Sequence, residues 1–151
     1  DMVRAAGARI KFITDGDAPA AVSAGIAGSG VDMMLGIGGS PEGVVAAAAL
    51  KCIEGDFQGR LWPRNDDDRR MAAERGIDLT RVLTRDELVT GDDVFFAATG
   101  VTGGDLLEGV EYTVGGAVSE SLVMRSRSGT IRRIKTEHHW RKLQGMNATV
   151  N

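Results

Sequence analysis

The chain passes from an apolar run into a helix at Gly38-Gly39-Ser40-Pro41-Glu42-Gly43, and the rest of the fold can be predicted outward from this joint. Residues 31–37 before it are typical of a buried strand, and residues 44–53 after it are rich in alanine. The glycine pair permits a sharp turn, with the serine as N-cap and the proline in the first helical position. The N–H groups of such a helix start attract anions, whereas the carboxylate of Glu42 could hold a cation.

The same succession of strand, turn and helix precedes the joint. Residues 10–14 predict a short strand, Asp15-Gly16-Asp17 a turn, and residues 18–26 a helix of small side chains that Asp17 can cap. Further along, the pattern predicts strands at 58–62, 81–84 and 94–99, a charged surface helix at 66–75 that Gly76 ends, and a helical turn at 85–89 that Thr84 caps.

This alternation predicts an α/β fold with an open, largely parallel sheet and helices on both faces. From residue 110 onward the pattern changes to extended segments at 111–114, 117–127 and 130–137, with Ser128-Gly129 as a hairpin turn. These segments predict an antiparallel extension of the sheet. We expect one domain over residues 1–143, followed by a weakly patterned tail at 144–151.

In open α/β sheets, ligands collect beyond the carboxyl ends of the strands. That rule selects three loops, at residues 15–17, 38–42 and 99–105, and we expect them to face one crevice. Asp15 and Asp17 suit sugar hydroxyls, a divalent cation or acid–base work, but a helix cap plus a turn explains them equally well. A capping box is the alternative for Glu42, although Glu42 follows Ser40 by two residues rather than the usual three.

Composition limits the kind of protein. The 151 residues are 42% hydrophobic and 26% charged, with a formal net charge of −3, as expected for one globular domain. An acidic chain whose arginines are not interleaved with aromatic residues does not favour nucleic-acid binding. No apolar stretch is long enough to span a membrane, so we expect a cytoplasmic protein. The lone Cys52 predicts a small buried thiol, with a reactive thiol as the alternative.

Several blocks of the sequence, taken together, closely resemble the carboxyl-terminal half of the class II fructose-1,6-bisphosphatases of the GlpX type. The resemblance covers nearly the whole chain, and the chain begins in mid-helix, so we expect it to be part of a longer protein. The blocks are Asp15-Gly16-Asp17, Gly38-Gly39-Ser40-Pro41-Glu42-Gly43, Gln58-Gly59-Arg60-Leu61-Trp62-Pro63, residues 92–100 (DDVFFAATG) and residues 120–127 (ESLVMRSR).

The resemblance implies a sugar-phosphatase fold and a metal-dependent hydrolysis of the 1-phosphate of fructose 1,6-bisphosphate in gluconeogenesis. Magnesium or manganese would assist the reaction. In the family, the acid of the Gly-Gly-x-Pro-Glu block is a metal ligand, which falls on Glu42, and its second glycine contacts substrate, which falls on Gly39. The Asp-Gly-Asp block binds the sugar phosphate, which implicates Asp15, Gly16 and Asp17.

One family segment is absent from this sequence. Family members carry an upstream Asp-Pro-x-Asp-Gly-Thr segment that supplies metal ligands and helps to activate water, whereas the three prolines here follow Ala18, Ser40 and Trp62. We therefore assign no catalytic residue to this chain and expect it to be inactive without an amino-terminal half, whether covalently continuous or a separate chain. The extended segments near the end also favour a homo-oligomer.

Two alternatives stay open at this stage. The chain could be a catalytically inactive remnant that binds a phosphosugar or regulates another protein. It could also belong to a bifunctional enzyme that accepts sedoheptulose 1,7-bisphosphate as well as fructose 1,6-bisphosphate, since nothing in the sequence discriminates between the two sugars.

Overall fold

A computed structural model of the chain describes residues 2–147. The helices are α1 (Met2–Ala5), α2 (Asp17–Gly25), α3 (Ser40–Cys52), α4 (Asp66–Glu74), α5 (Arg85–Leu88) and α6 (Trp140–Asn147). The strands are β1 (Gln58–Arg60), β2 (Val82–Thr84), β3 (Phe95–Thr99), β4 (Glu111–Thr113), β5 (Gly116–Arg125) and β6 (Thr130–His139).

The main sheet is built around β5, and its strand pairs are antiparallel. Strand β6 pairs with the whole length of β5, from Gly116↔His139 to Arg125↔Thr130. The other edge of β5 is shared between β4 at its start and β3 at its end. A 3-10 turn at Ser126–Ser128 joins β5 to β6, and Gly129 closes this hairpin with a φ of +58° that favours glycine.

The core lies between one face of this sheet and the helix pair α2 and α3. Both helices consist mostly of small side chains, so their backbones can approach each other and the sheet closely. Leu122 and Met124 on β5 are completely buried against this layer. The buried cluster also contains Val22, Ala49, Cys52, Leu106 and Leu107.

A smaller unit packs beside α3. Strands β1 and β2 form a two-stranded antiparallel sheet, with Gly59 opposite Leu83. Two long side chains tie this unit to α3 and the loop after it: Lys51 Nζ donates to the carbonyl of Val89 at 2.7 Å, and Arg85 Nη1 donates to the carbonyl of Gly55 at 2.7 Å. The orientation of the unit relative to α3 is therefore fixed by partly buried polar contacts as well as by packing.

The prediction of a largely parallel sheet is wrong, because both sheets of the described residues are antiparallel. Residues 10–14 and 31–37, predicted as its first two strands, belong to no strand ladder within residues 2–147. Apolar patterning can predict an extended chain, but a strand also requires a neighbour that accepts and donates its backbone hydrogen bonds. The mixed α/β composition and the antiparallel arrangement after residue 110 are confirmed.

The other predicted elements are present, with shifted ends. Helix α6 crosses the predicted boundary between residues 143 and 144, and residues 148–151 of the predicted tail lie outside the described residues. The domain boundary itself stays a prediction. Throughout residues 2–147, no helix is both long and apolar enough to cross a membrane.

Candidate functional site

Two of the three predicted loops meet directly. A Cβ atom placed on Gly38 would collide with Oδ2 of Asp17, so the Asp-Gly-Asp turn and the Gly-Gly turn touch at this point. The contact follows from the packing of α2 against α3, because each turn leads directly into one of these helices. The structure therefore brings together two sequence blocks that are separated by about twenty residues.

The first turn depends on the conformation of Gly16. Its φ of +85° lies in the left-handed region, and its N–H donates to Oδ1 of Asp15 at 2.7 Å. Gly16 is also the N-cap of α2, so the prediction that Asp17 caps this helix is wrong by one residue. Asp17 is the first helical residue, and its half-buried carboxylate lies against the other turn, while Asp15 is exposed.

The second turn begins α3 one residue earlier than predicted. Gly39 is the N-cap, Ser40 is the first helical residue, and Glu42 is therefore the third. The Glu42 carboxylate folds back over Gly39, where a Cβ atom would collide with its Oε2. This is the position of the acid in a capping box, but the N-cap glycine has no side chain to complete the box, and the described contacts include no hydrogen bond from the Gly39 N–H to Glu42. The carboxylate nevertheless stays exposed at the helix start.

The glycine pair provides space rather than an unusual backbone conformation. Gly39 has a φ of −70°, which any residue can adopt, and Gly38 is not among the described glycines with positive φ. At both positions a carboxylate occupies the place of the Cβ atom, so a side chain there would have to displace that carboxylate. The sequence analysis predicted a substrate contact for Gly39 and only a turn for Gly38. The two adjacent glycines were the feature of the sequence that could have indicated close approach at both positions.

The start of α3 has the free N–H groups that are typical of a helix N-terminus. The first intrahelical contact is the N–H of Gly43 donating to the carbonyl of Gly39 at 3.1 Å. The N–H groups before it have no partner within the helix, as is general for helix N-termini, and Pro41 has no N–H to offer. The partial positive charge of these groups favours phosphate.

The third predicted loop, at residues 99–105, is held in place by contacts of its own. A side chain on Gly100 would collide with the carbonyl of Glu108, and Glu120 accepts a hydrogen bond from the N–H of Glu108 at 2.8 Å. Asp105 forms an ion pair with Lys11, in the segment that leads to Asp15. The loop thus approaches the Asp-Gly-Asp turn through Lys11. Only two of the three predicted loops touch directly, and the crevice that all three would face stays a prediction.

Arg125 is occupied by a structural partner. Its Nε and Nη2 donate to the two carboxylate oxygens of Asp93 at 2.7 and 2.5 Å, and its guanidinium lies 4.9 Å from the centre of the Phe95 ring. The hydrogen bonds from Arg125 lower the pKa of the Asp93 carboxyl. This interaction links β5 to the loop before β3, and so joins two of the sequence blocks that resemble the family, residues 92–100 and 120–127.

Cys52 confirms the prediction of a buried thiol. It is 1% exposed, and its thiol donates to the carbonyl of Val94 at 3.5 Å. Burial raises the pKa of the Cys52 thiol, which keeps it in the protonated, unreactive form.

Carboxylate oxygens such as those of Asp17 and Glu42 are suitable ligands for magnesium or manganese. Across residues 2–147, however, no group of three or more aspartate, glutamate, histidine or cysteine side chains is placed to hold a metal ion. The donors present are therefore of the right type but too few to enclose an ion, and any complete centre needs ligands beyond them.

Comparison with known proteins identifies the family. A family model described as "Bacterial fructose-1,6-bisphosphatase, glpX-encoded" matches residues 1–138, which is most of the chain. The chain therefore belongs to the family of bacterial, glpX-encoded fructose-1,6-bisphosphatases.

The curated relatives are longer than this chain. Two proteins named D-fructose 1,6-bisphosphatase class 2/sedoheptulose 1,7-bisphosphatase, from Synechococcus sp. strains JA-3-3Ab and JA-2-3B'a(2-13), are each 47% identical to it over 149 residues. A protein of the same name from Crocosphaera subtropica is 43% identical over 149 residues. Each comparison covers 90% of this chain but only 43% of the relative, so the chain spans less than half the length of these relatives.

Proposed function

We propose that the chain is the carboxyl-terminal part of a metal-dependent phosphatase that hydrolyses the 1-phosphate of fructose 1,6-bisphosphate to fructose 6-phosphate and phosphate, in gluconeogenesis. The observation that carries the proposal is the meeting of two turns, with the Asp17 carboxylate against Gly38 and the Glu42 carboxylate over Gly39. The names of the curated relatives support the same reaction class.

In this proposal Asp15, Gly16, Asp17 and Gly39 bind the sugar phosphate. The two aspartates accept hydrogen bonds from sugar hydroxyl groups, which carboxylates do well because they are acceptors only. Gly39 lets the substrate approach the backbone, and the N–H groups at the start of α3 donate to phosphate oxygens. In this arrangement the substrate contacts the solvent-exposed side of the two turns, and the opposite, packed side of the turns holds α2 and α3 together.

Glu42 is proposed as one ligand of a magnesium or manganese ion. When bound, such an ion neutralises the charge that develops on the transferred phosphoryl group. Since the described residues hold no group of three potential ligands, the other ligands come from the rest of the protein. We therefore expect the chain alone to release no phosphate.

The metal role of Glu42 can be tested by producing this chain together with the remainder of the Synechococcus JA-3-3Ab relative. Phosphate release from fructose 1,6-bisphosphate is measured in magnesium or manganese. Loss of a metal ligand removes several kcal/mol of transition-state stabilisation, so Glu42→Gln should lower kcat/KM by about 100-fold or more. Glu74→Gln, on the exposed end of α4, is the matched control and should leave turnover unchanged.

Two other results would contradict the proposal. Wild-type turnover in Glu42→Gln would show that Glu42 is not a metal ligand. Binding of fructose 1,6-bisphosphate without hydrolysis, in the presence of the remainder and of metal, would instead favour the phosphosugar-binding remnant.

Sedoheptulose 1,7-bisphosphate is a second candidate substrate, because the relatives carry both activities in their names. We expect one preparation to hydrolyse both sugars at one site. Each sugar should then inhibit hydrolysis of the other competitively, with an inhibition constant equal to its own KM when dissociation is fast. Hydrolysis of fructose 1,6-bisphosphate alone would exclude the second substrate.

A further inference from the structure

Two segments of the chain expose large apolar side chains and, within residues 2–147, form no strand pairing. We call residues 9–14 and 31–38 the unpaired segments. Phe12 in the first is 79% exposed, and Met33, Leu35 and Ile37 in the second are 70, 74 and 73% exposed. Neither segment belongs to a strand ladder in the part of the chain that the structure describes.

The second unpaired segment has the pattern of a strand. Met33, Leu35 and Ile37 alternate with other residues, so in an extended chain they point to one face. The backbone groups of residues 32–38 form no hydrogen bond with the other described residues. A row of free N–H and C=O groups beside apolar side chains is a template for an added strand.

Both unpaired segments lead to the candidate site. The first is followed by the Asp-Gly-Asp turn and the second by the Gly-Gly turn, and the two turns touch through Asp17 and Gly38. Helices α2 and α3 follow these turns and hold them together, while Lys11 in the first segment is paired with Asp105. The segments are therefore anchored at the site, and their sides are left open.

We propose that the unpaired segments are the surface on which the remainder of the protein docks, by adding β-strands to them. The inference rests on the proposed function, in which this chain is part of a longer phosphatase. The chain accounts for only 43% of the length of its relatives, so each relative contains more polypeptide outside the matched region than within it. That polypeptide is the occupant to which we commit.

Strand addition at these segments would also bring further potential metal ligands to the site. The segments lead to the turns where Asp17 meets Gly38, next to Glu42, and there the described residues provide too few donors to enclose an ion. A strand that pairs along either segment places its own end residues beside these turns. Docking and completion of the site are therefore one event in this proposal.

The test uses the whole chain with one charged substitution on the surface. Leu35 is largely exposed, so Leu35→Asp should not change the unfolding midpoint of the isolated chain. The matched control is Val114→Asp, which lies outside the segments at a completely exposed position. Each variant is co-expressed with the tagged remainder of the Synechococcus JA-3-3Ab relative, and the amount of chain that co-purifies is measured, together with amide hydrogen exchange.

We expect Leu35→Asp to reduce co-purification about tenfold or more, and Val114→Asp to leave it unchanged. In the wild-type complex the amides of residues 32–38 should exchange at least about 100-fold more slowly than in the chain alone, because they become hydrogen-bonded. Equal co-purification of both variants, or a complex in which residues 32–38 stay unprotected, overturns the proposal. So does protection that rises with the concentration of the chain alone, since the occupant is then a second copy.

This result is separable from that of the proposed function. A complex that protects the segments but releases no phosphate supports docking and contradicts the phosphatase assignment. A complex that releases phosphate while the segments stay unprotected supports the phosphatase assignment and contradicts docking at the segments.

Discussion

Gly38 and Gly39 each leave room for a carboxylate, and the candidate site depends on that space. The sequence pointed to this turn, because glycine, proline and an acid coincide there, but it could not show which atoms fill the empty Cβ positions. Those atoms are Oδ2 of Asp17 and Oε2 of Glu42. The first comes from a different turn, so only the packing of α2 on α3 could reveal it.

Gly38→Ala should displace the Asp17 carboxylate without unfolding the protein. The colliding atom is the end of a flexible side chain, so we expect the free energy of unfolding to change by less than about 1 kcal/mol. Phosphate release by the chain with its remainder should fall about tenfold or more, because a catalytic site tolerates little misplacement. Urea denaturation and steady-state kinetics measure the two effects.

Gly115→Ala is the control for that substitution, because a Cβ atom on Gly115 meets nothing within 4 Å. It should change neither stability nor turnover. Unchanged turnover in Gly38→Ala as well would mean that the position of Asp17 is irrelevant to the reaction.

Helix starts show how far local patterns can be trusted. For α5 the prediction of Thr84 as the cap is confirmed: the N–H of Glu87 donates to Oγ1 of Thr84, and the N–H of Thr84 donates to Oε2 of Glu87 at 2.8 Å. For α2 and α3, good capping residues were predicted, but glycines take the cap position and Asp17 and Ser40 enter the helices. In those helices tertiary packing fixes where the first turn begins, and this overrides the local preference.

The capping box of α5 should make stability depend on acid. The N–H of Thr84, with further contributions from the Arg81 side chain and the Thr84 hydroxyl, lowers the pKa of Glu87 from 4.5 to about 2. A carboxyl whose pKa is lower in the folded state stabilises the fold above its unfolded pKa, and this contribution is lost as the pH falls. The stability advantage of wild type over Glu87→Gln should therefore be full at neutral pH and decline between pH 4.5 and about 2.

Urea denaturation of both proteins across this pH range measures that advantage. Asp66→Asn, at the start of α4, is the matched control because the Asp66 side chain is fully exposed. An advantage over Glu87→Gln that stays constant down to pH 2 would show that ionisation of the Glu87 carboxyl does not stabilise the fold.

The stability of the whole molecule is concentrated in the layer between β5 and the helix pair. Leu122, Met124, Val22 and Cys52 are its largest fully buried side chains. The unpaired segments lie outside this layer, which explains how the same chain can hold a closed core and still expose Met33, Leu35 and Ile37. Apolar side chains are therefore buried in the core layer but exposed to solvent in the unpaired segments.

A pair of leucine truncations should separate these regions. Leu122→Ala empties a fully buried position and should lower the free energy of unfolding of the isolated chain by about 2–5 kcal/mol. Leu35→Ala, at a position that is 74% exposed, should lower it by less than about 0.5 kcal/mol. Urea denaturation of the two variants provides the measurement, and equal losses would show that residue 35 is packed in the isolated chain.

The sequence by itself determined most elements, the antiparallel region after residue 110, the buried thiol and the two turns of the site, since these follow from local pattern and residue chemistry. It also led to the family, which the comparisons confirm. The prediction of a parallel sheet was wrong because an apolar pattern predicts an extended segment but does not predict which other segment pairs with it. Only the tertiary structure decided that Asp17 meets Gly38, that glycines cap α2 and α3, and that residues 31–38 stay unpaired. Each of these depends on contacts between segments distant in sequence, which a local pattern does not encode.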